Sequence, residues 1–157
     1  MEPTPTKGHL HPITQAIREI AAIFSALGFT TAEGPEMEDE WHNFDALNVP
    51  KDHPARDMQD TFWIKNPKSK FEIRSTKSEK FLLRTHTSSV QIRYMEEKVR
   101  KGIPPPYRIV VPGKVFRNEA TDATHEAQFF HVEGLCVDTD ASMARLKWTL
   151  VHFFKEF

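Results

Sequence analysis

The sequence predicts an α+β domain in which an antiparallel β-sheet is flanked by helices, and three observations carry that expectation. Two segments repeat apolar residues at three- and four-residue spacing, the period of a helix with one buried face: Ile13, Ile17, Ile20, Phe24 and Leu27, then Met143, Leu146, Leu150, Phe153 and Phe157. Between them lie β-branched and aromatic runs at Tyr107 to Val111, Lys114 to Glu119 and Ala127 to Val137. Their connections are too short for a crossover, so neighbours must run antiparallel. Twelve Phe and three Trp in 157 residues, with 39% hydrophobic residues overall, supply a core for one domain and argue against disorder. Helices segregated from an antiparallel sheet define the α+β class.

Charge and cysteine content narrow the setting. The formal net charge is -1, so the chain has no basic surplus to hold nucleic acid through phosphates alone. An RNA partner would draw most of its contacts from elsewhere. The lone Cys136 lies in an apolar run and reads as a small buried hydrophobe, in keeping with a reducing cytoplasm. Met1 to Leu10 has no apolar leader region, and no apolar stretch approaches the roughly 18–20 residues that span a bilayer. The expectation is a soluble, cytoplasmic protein with no membrane partner.

Residues 1–8 read as a loose lead-in and 9–157 as one domain. Pro12 suits the first turn of the first helix, and Gly28 suits the position just past its end. Phe29 to Ala32 is a short strand closed by Gly34-Pro35. Glu36 to Asn48 reads as a helical turn or short helix, Val49 to Gln59 as loop, Phe62 to Ile64 as a strand, and Lys65 to Lys80 as a solvated hairpin or insertion. Phe81 to Thr85 is a strand. Thr87 or Ser88 then caps a helix that runs to about Lys101 and stops at Gly102. Pro112-Gly113 signals a turn or bulge between two strands, and Asp140 can cap the last helix. That helix has no stop signal before Phe157, which leads to the expectation of a longer natural chain.

The chemistry concentrates between Val115 and Glu133. Alternate side chains of a strand share a face. On the first strand Val115, Arg117 and Glu119 share a face, on the second Phe129, His131, Glu133, Leu135 and Val137 do, and a single face of the hairpin can carry both sets, while Phe116, Phe130, Val132 and Cys136 turn toward an expected hydrophobic core. Two readings fit this face. It is a solvated surface with Arg117 paired to Glu119 or Glu133, worth about 0–1 kcal/mol, or it is a ligand platform. In the second, Arg clamps an anion, Phe stacks on a flat ring and the carboxylates accept from amino groups. His125, at the tip of the intervening loop, is a plain exposed histidine or one that reaches an anionic ligand over the sheet. Arg84-Thr85-His86-Thr87-Ser88-Ser89 stands at a helix start, where free N–H groups and the dipole favour a carboxylate. Capping alone would explain its hydroxyls but not His86.

These residues resemble a family pattern. Val115-Phe116-Arg117-Asn118-Glu119, Asp122-Ala123-Thr124-His125, Phe129 and Glu133-Gly134 resemble motif 2 of class II aminoacyl-tRNA synthetases, in the version of the bacterial-type phenylalanine–tRNA ligase alpha subunits. Leu83 to Ser88 is similar to the phenylalanine-site segment of that family, and Gly28-Phe29 through Gly34-Pro35 to motif 1. Asn43 to Asn48, His53 to Asp57 and Asp60 to Trp63 match it almost word for word. The resemblance implies the class II catalytic fold, cut before motif 3, and an ATP-dependent activation of L-phenylalanine followed by its transfer to tRNA(Phe). It implies that Arg117 holds the α-phosphate as the catalytic cation, Glu119 takes the adenine amino group, His125 reaches the outer phosphates and Phe129 stacks on adenine. It assigns His86, Ser88, His131, Glu133 and Gln59 to phenylalanine. It further implies a beta subunit as partner, self-association of alpha subunits through motif 1, and Mg2+ held by a carboxylate downstream of Phe157.

The sequence departs from the family pattern at His131, where an amide usually receives the ammonium of the amino acid. A neutral imidazole can accept that hydrogen bond and a protonated one repels it, so phenylalanine binding is expected to weaken on acidification. Gln59 stands where some relatives carry an aromatic or a histidine near the substrate. Without motif 3, the chain alone is expected not to form adenylate. A non-catalytic class II-like binding module is the alternative. A zinc site from His125, His131 and Glu133 lacks paired ligand spacing.

Overall fold

In the computed structural model, residues 8–56, 61–65, 77, 79–118, 123 and 126–157 are described. The first helix, α1 (Pro12–Ala26), has proline in its first turn, and the His11 side chain accepts from the Ile13 N–H. It ends at Gly28, whose φ of 82° is open to glycine and strained for other residues. There follow β1 (Thr30–Thr31), β2 (Met37–Asp39), the single-turn α2 (Glu40–Asn43), β3 (Trp63–Ile64), β4 (Phe81–Leu83), α3 (Ser88–Arg100), the ten-residue β5 (Tyr107–Phe116) and β6 (Gln128–Val137), and α4 (Met143–Glu156).

Among the described residues, two three-stranded sheets result. The larger has the order β1-β5-β6, with β5 and β6 antiparallel and β1 parallel to β5; the smaller, β2-β4-β3, is antiparallel throughout. The α+β expectation therefore holds, with one parallel pair that the reading of short connections did not include. That pair becomes possible because a long stretch of the chain, from β2 to α3, lies between β1 and β5. Opposite residues of an antiparallel pair point the same way. One face of the large sheet thus carries Tyr107, Ile109, Val111, Gly113 and Val115 beside Val137, Leu135, Glu133, His131 and Phe129. Helix α3 covers the apolar end of this face: Val90 packs with Ile109 and Val111, flanked by Tyr94 and Leu135. Each such buried aliphatic side chain stabilises by about 1.5–3 kcal/mol.

Several sequence expectations are corrected. Pro112-Gly113 does not divide two strands; β5 runs through it. The Phe116 N–H donates to the Arg84 carbonyl, away from β6, and the Ala32 N–H donates to Val110 on that same outer side. By alternation the Pro112 nitrogen also points outward, past the end of β1, so no ladder bond is lost. Glu36 to Asn48 is not all helical, because Met37–Asp39 forms β2 and pairs with Leu83, Leu82 and Phe81. Acidic residues disguised that strand: Glu38 and Asp39 are fully buried, with Arg93 and His42 as partners. Ser142, not Asp140, caps α4 by accepting from the Arg145 N–H. Cys136 is exposed, and its neighbours Phe130 and Val132 on the outer face of β6 are 37% and 39% exposed. Val132 and Cys136 look onto a hollow of about 800 Å³ between this face, α1 and α4, in which Phe24 and Phe153 stack at 5.1 Å. The apolar side of α4 leaves this face open instead of filling it, with Leu146 and Leu150 themselves 50% and 44% exposed.

Candidate active site at the head of α3

The polar end of the covered face begins where α3 begins. Glu133 projects from β6 onto the first turn of the helix. Its carboxylate accepts from the Thr87 backbone N–H at 3.1 Å, from the Ser88 hydroxyl, and from the Gln91 amide at 3.3 Å. A charged acceptor at this position meets both the unpaired N–H groups and the positive end of the helix dipole. Thr87 is the residue preceding the helix, but its side chain makes no capping bond. The expectation that Thr87 or Ser88 caps α3 by itself is therefore corrected: a strand residue from another part of the chain serves the helix start.

Around Glu133 stand the other candidate residues. His131 Nδ1 lies 3.4 Å from Glu133 Oε1, and the His131 ring meets Phe129 edge-on at 5.2 Å. The Arg117 guanidinium lies over the Phe129 ring, 5.1 Å from its centre. Beyond the end of β5 the Arg117 N–H still donates to Ala127, which keeps its side chain in step with Val115 and on the Phe129 face. His86 is largely enclosed. Burial lowers its pKa, the Glu133 charge pulls the other way, and the His131 and Arg117 charges oppose protonation. Its Nδ1 is buried without a hydrogen-bond partner, as are the hydroxyls of Thr87 and Ser89. Arg117, Phe129, His131, Glu133, His86 and Ser88 therefore converge on one region of one sheet face. Glu119, His125 and Gln59 lie outside the described residues.

Three supporting residues had no role of their own in the sequence reading. Arg84 is 4% exposed and runs across Gly113, donating to the Lys114 carbonyl at 2.8 Å, Gly34 at 3.1 Å and Pro35 at 3.4 Å. A Cβ on Gly113 would strike its guanidinium, which is why glycine stands opposite His131. Asn43 brackets Thr85, donating to its hydroxyl at 3.0 Å and accepting from its N–H at 3.3 Å. Gln91 was hidden because position four of a helix reads as ordinary surface. The available signal was its place one turn from Ser88, on the same helix face.

The arrangement combines a cation on an aromatic plane with an anion fixed at a helix head, a set able to hold a ring, a phosphate and an ammonium side by side. A family model described as tRNA synthetases class II core domain (F) matches residues 1–157. The chain belongs to that family. It is 54% identical over 150 residues to a phenylalanine–tRNA ligase alpha subunit of Dehalococcoides mccartyi, a match covering 96% of this chain and 40% of the relative. Identity to the corresponding subunit of Zymomonas mobilis is 49% over 157 residues, 99% of this chain and 40% of the relative. The chain thus spans about 40% of the length of these relatives. A pyrrolysyl-tRNA synthetase from Desulfitobacterium hafniense shares the fold, with a TM-score of 0.68 and 16% identity over 92% of this chain and 47% of that one. Within the class II core fold, the polar end of the β5–β6 face is the candidate site, and the 800 Å³ hollow lies on the other side of the sheet.

Proposed function

We propose that this chain forms part of the catalytic domain of a phenylalanine–tRNA ligase alpha subunit and that its β5–β6 face holds ATP and L-phenylalanine. The observation that carries the proposal is the convergence of Arg117, Phe129 and Glu133 on one face at the head of α3. In activation, a carboxylate oxygen of phenylalanine attacks the α-phosphorus of ATP, the bond to the bridging oxygen breaks, and pyrophosphate leaves. Arg117 neutralises the charge that builds on the α-phosphate, and Phe129 stacks on adenine beside it. Glu133, Ser88, His86 and His131 orient the ammonium and carboxylate of the amino acid. A hydroxyl of the tRNA terminus then attacks the carbonyl carbon of the adenylate and AMP leaves. No covalent enzyme intermediate is required, and the rate comes from positioning and charge. Glu119, His125 and Gln59 keep the roles that the family resemblance implies for them.

The family chemistry implies a divalent cation. Among the described residues, Glu38, Asp39 and His42 bring three donor groups within 4.8 Å of one another, but those atoms already face Arg93 and the protons of His42. That cluster does not fit Mg2+, and no step here passes through the ion. The proposed partners are a beta subunit, suggested by the naming of the relatives, tRNA(Phe), and a second alpha subunit meeting the α1–β1 region through motif 1. No helix among the described residues is long and apolar enough to cross a membrane; a cytoplasmic location is the proposal.

One observation favours the non-catalytic alternative: Glu133 already accepts three hydrogen bonds from α3 and could serve the helix alone. Phenylalanine-dependent ATP–pyrophosphate exchange separates the readings. The full-length chain with its beta partner should exchange, Arg117→Ala should lose about 100- to 1000-fold, and residues 1–157 alone should show none. A full-length assembly that exchanges with no dependence on phenylalanine or on Arg117 would refute the proposal.

A further inference from the structure

Among the described residues, the most deeply buried charges lie outside the site. Glu38, Asp39 and His42 have no exposed surface. His42 Nδ1 is 2.9 Å from both oxygens of Asp39, and its Nε2 is 3.0 Å from Glu96 Oε2. An ionised carboxylate can only accept, so a ring nitrogen facing one must carry hydrogen. Both nitrogens face carboxylates, and the geometry requires an imidazolium. The surrounding charges agree. From β2, Glu38 Oε1 lies 3.8 Å from His42 Nδ1 and pairs with Arg93 of α3, which also reaches Asp39 at 4.0 Å. Lys77 pairs with Glu96, donates its backbone N–H to Asp39 at 3.1 Å, and holds its ammonium 3.7 Å from the centre of the Trp41 ring. Three carboxylates thus meet three cations. With His42 neutral, one nitrogen lone pair would face a carboxylate and the buried cluster would carry excess negative charge.

The residue after His42 is Asn43, fully buried, whose amide brackets Thr85. Thr85 leads directly to His86, Thr87 and Ser88, and the last two hold Glu133. Helix α2 is a single turn, started by Asp39 accepting the His42 N–H at 2.8 Å. One turn therefore presents one side chain to the charge cluster and the next to the candidate site. We infer that His42 is a positioning residue: as a fixed imidazolium between Asp39 and Glu96 it sets α2, and through the Asn43–Thr85 bracket it sets the His86–Ser88 segment. Its role toward substrate rests on the proposed ligase function; its charge state does not. Burial opposes the charge, but the hydrogen bonds to Asp39 and Glu96 outweigh it and raise the His42 pKa above the ordinary 6.5. A raised value places the full contribution below pH 6.5 and its loss as pH rises through the folded-state value. The site accordingly loosens on the alkaline side.

The test uses the full-length chain in its assembled enzyme. Phenylalanine-dependent ATP–pyrophosphate exchange, followed from about pH 6 to about pH 9.5, should show KM for phenylalanine rising on the alkaline side. His42→Gln should raise that KM about tenfold at neutral pH and flatten the rise. Glu96→Gln keeps shape and an acceptor but removes one charge, and should move the rise to lower pH. Hydrogen exchange at the Thr85 to Ser88 amides should lose protection over the same range, and 15N-histidine spectra should show both His42 nitrogens protonated at neutral pH. A folded His42→Gln enzyme with wild-type KM and the same alkaline rise overturns the inference, as does a neutral His42 at pH 7. Lower melting temperatures in both variants with no shift of the pH profile would mark a structural role only and also overturn it. If His42→Gln does not fold, the Glu96→Gln profile and the spectra decide. Absence of exchange by the wild-type assembly would sink the ligase reading, while the spectra and the amide exchange would still judge His42.

Discussion

Gly113→Ala tests how the two sheets are joined at the site. The methyl group would enter the space of the Arg84 guanidinium, with Cζ at 3.2 Å and Thr87 Cγ2 at 3.4 Å from the new carbon. Backbone strain is not involved, since Gly28 and Gly102 are the glycines with positive φ. Crowding of this kind costs about 1–3 kcal/mol. The displaced guanidinium would also give up part of its grip on the carbonyls of Lys114, Gly34 and Pro35. Hydrogen bonds to a charged donor are worth about 1.5–3 kcal/mol each, so the total should fall near the top of the crowding range, about 3 kcal/mol. In a domain of this size that lowers the melting temperature by roughly 6–12 °C. Thermal and urea unfolding of Gly113→Ala, of Arg84→Met and of the double variant form the assay. If the clash is the cause, the alanine should cost less than about 0.5 kcal/mol once the guanidinium is gone. Additive losses would refute the reasoning and move the cause elsewhere in β5.

Three further outcomes follow from the same geometry. Ser88→Ala removes a donor from Glu133 and should destabilise α3 by about 1 kcal/mol, while raising KM for phenylalanine more than KM for ATP; equal rises would speak against a Ser88 role at the amino acid. Burial holds the His86 pKa below the ordinary 6.5. As pH falls through 6.5 the unfolded chain takes a proton that the folded chain refuses, so stability drops until the folded value is passed. Urea midpoints against pH should show this acid loss in the wild type and not in His86→Gln. His131→Ala should weaken phenylalanine binding to the assembled enzyme more than ATP binding, as read by calorimetry; equal losses would remove His131 from the ammonium site.

How much of the fold could be read in advance depended on whether local pattern and tertiary context agreed. The stripe of α1, Pro12 in its first turn and Gly28 past its end agreed, and the helix stands as expected. At Pro112-Gly113 they disagreed. A proline followed by glycine signals a turn, but here the proline nitrogen points to an unpaired edge and the glycine makes room for Arg84, facts that belong to residues more than 25 positions away. Strand β2 was concealed for a related reason. Two acidic residues in succession read as surface, and they are buried because Arg93 and His42 meet them. Cys136 failed in the opposite sense. Its apolar neighbours suggested a core, and the face they form opens onto the hollow beside α4.

The candidate site shows where that dependence ends. Strand alternation put Phe129, His131 and Glu133 on one side of their strand and Arg117 beside Val115 on one side of the other, so that one face of the hairpin could carry both sets. It did not say which side a helix would cover, nor where along the strands the cover would stop. Helix α3 settles both. It shields Ile109, Val111 and Leu135 and begins at Ser88, so the polar end of the same face lies open beside a helix N-terminus. A one-residue slip between β5 and β6 would turn Glu133 toward α1 and α4 and bring Val132 and Gly134 under α3. The helix would then lose its carboxylate and its packing against Leu135 together. The bond between Glu133 and the head of α3 is therefore part of what selects the register, and the selected register is what gathers the arginine, the aromatic ring and the two histidines around it.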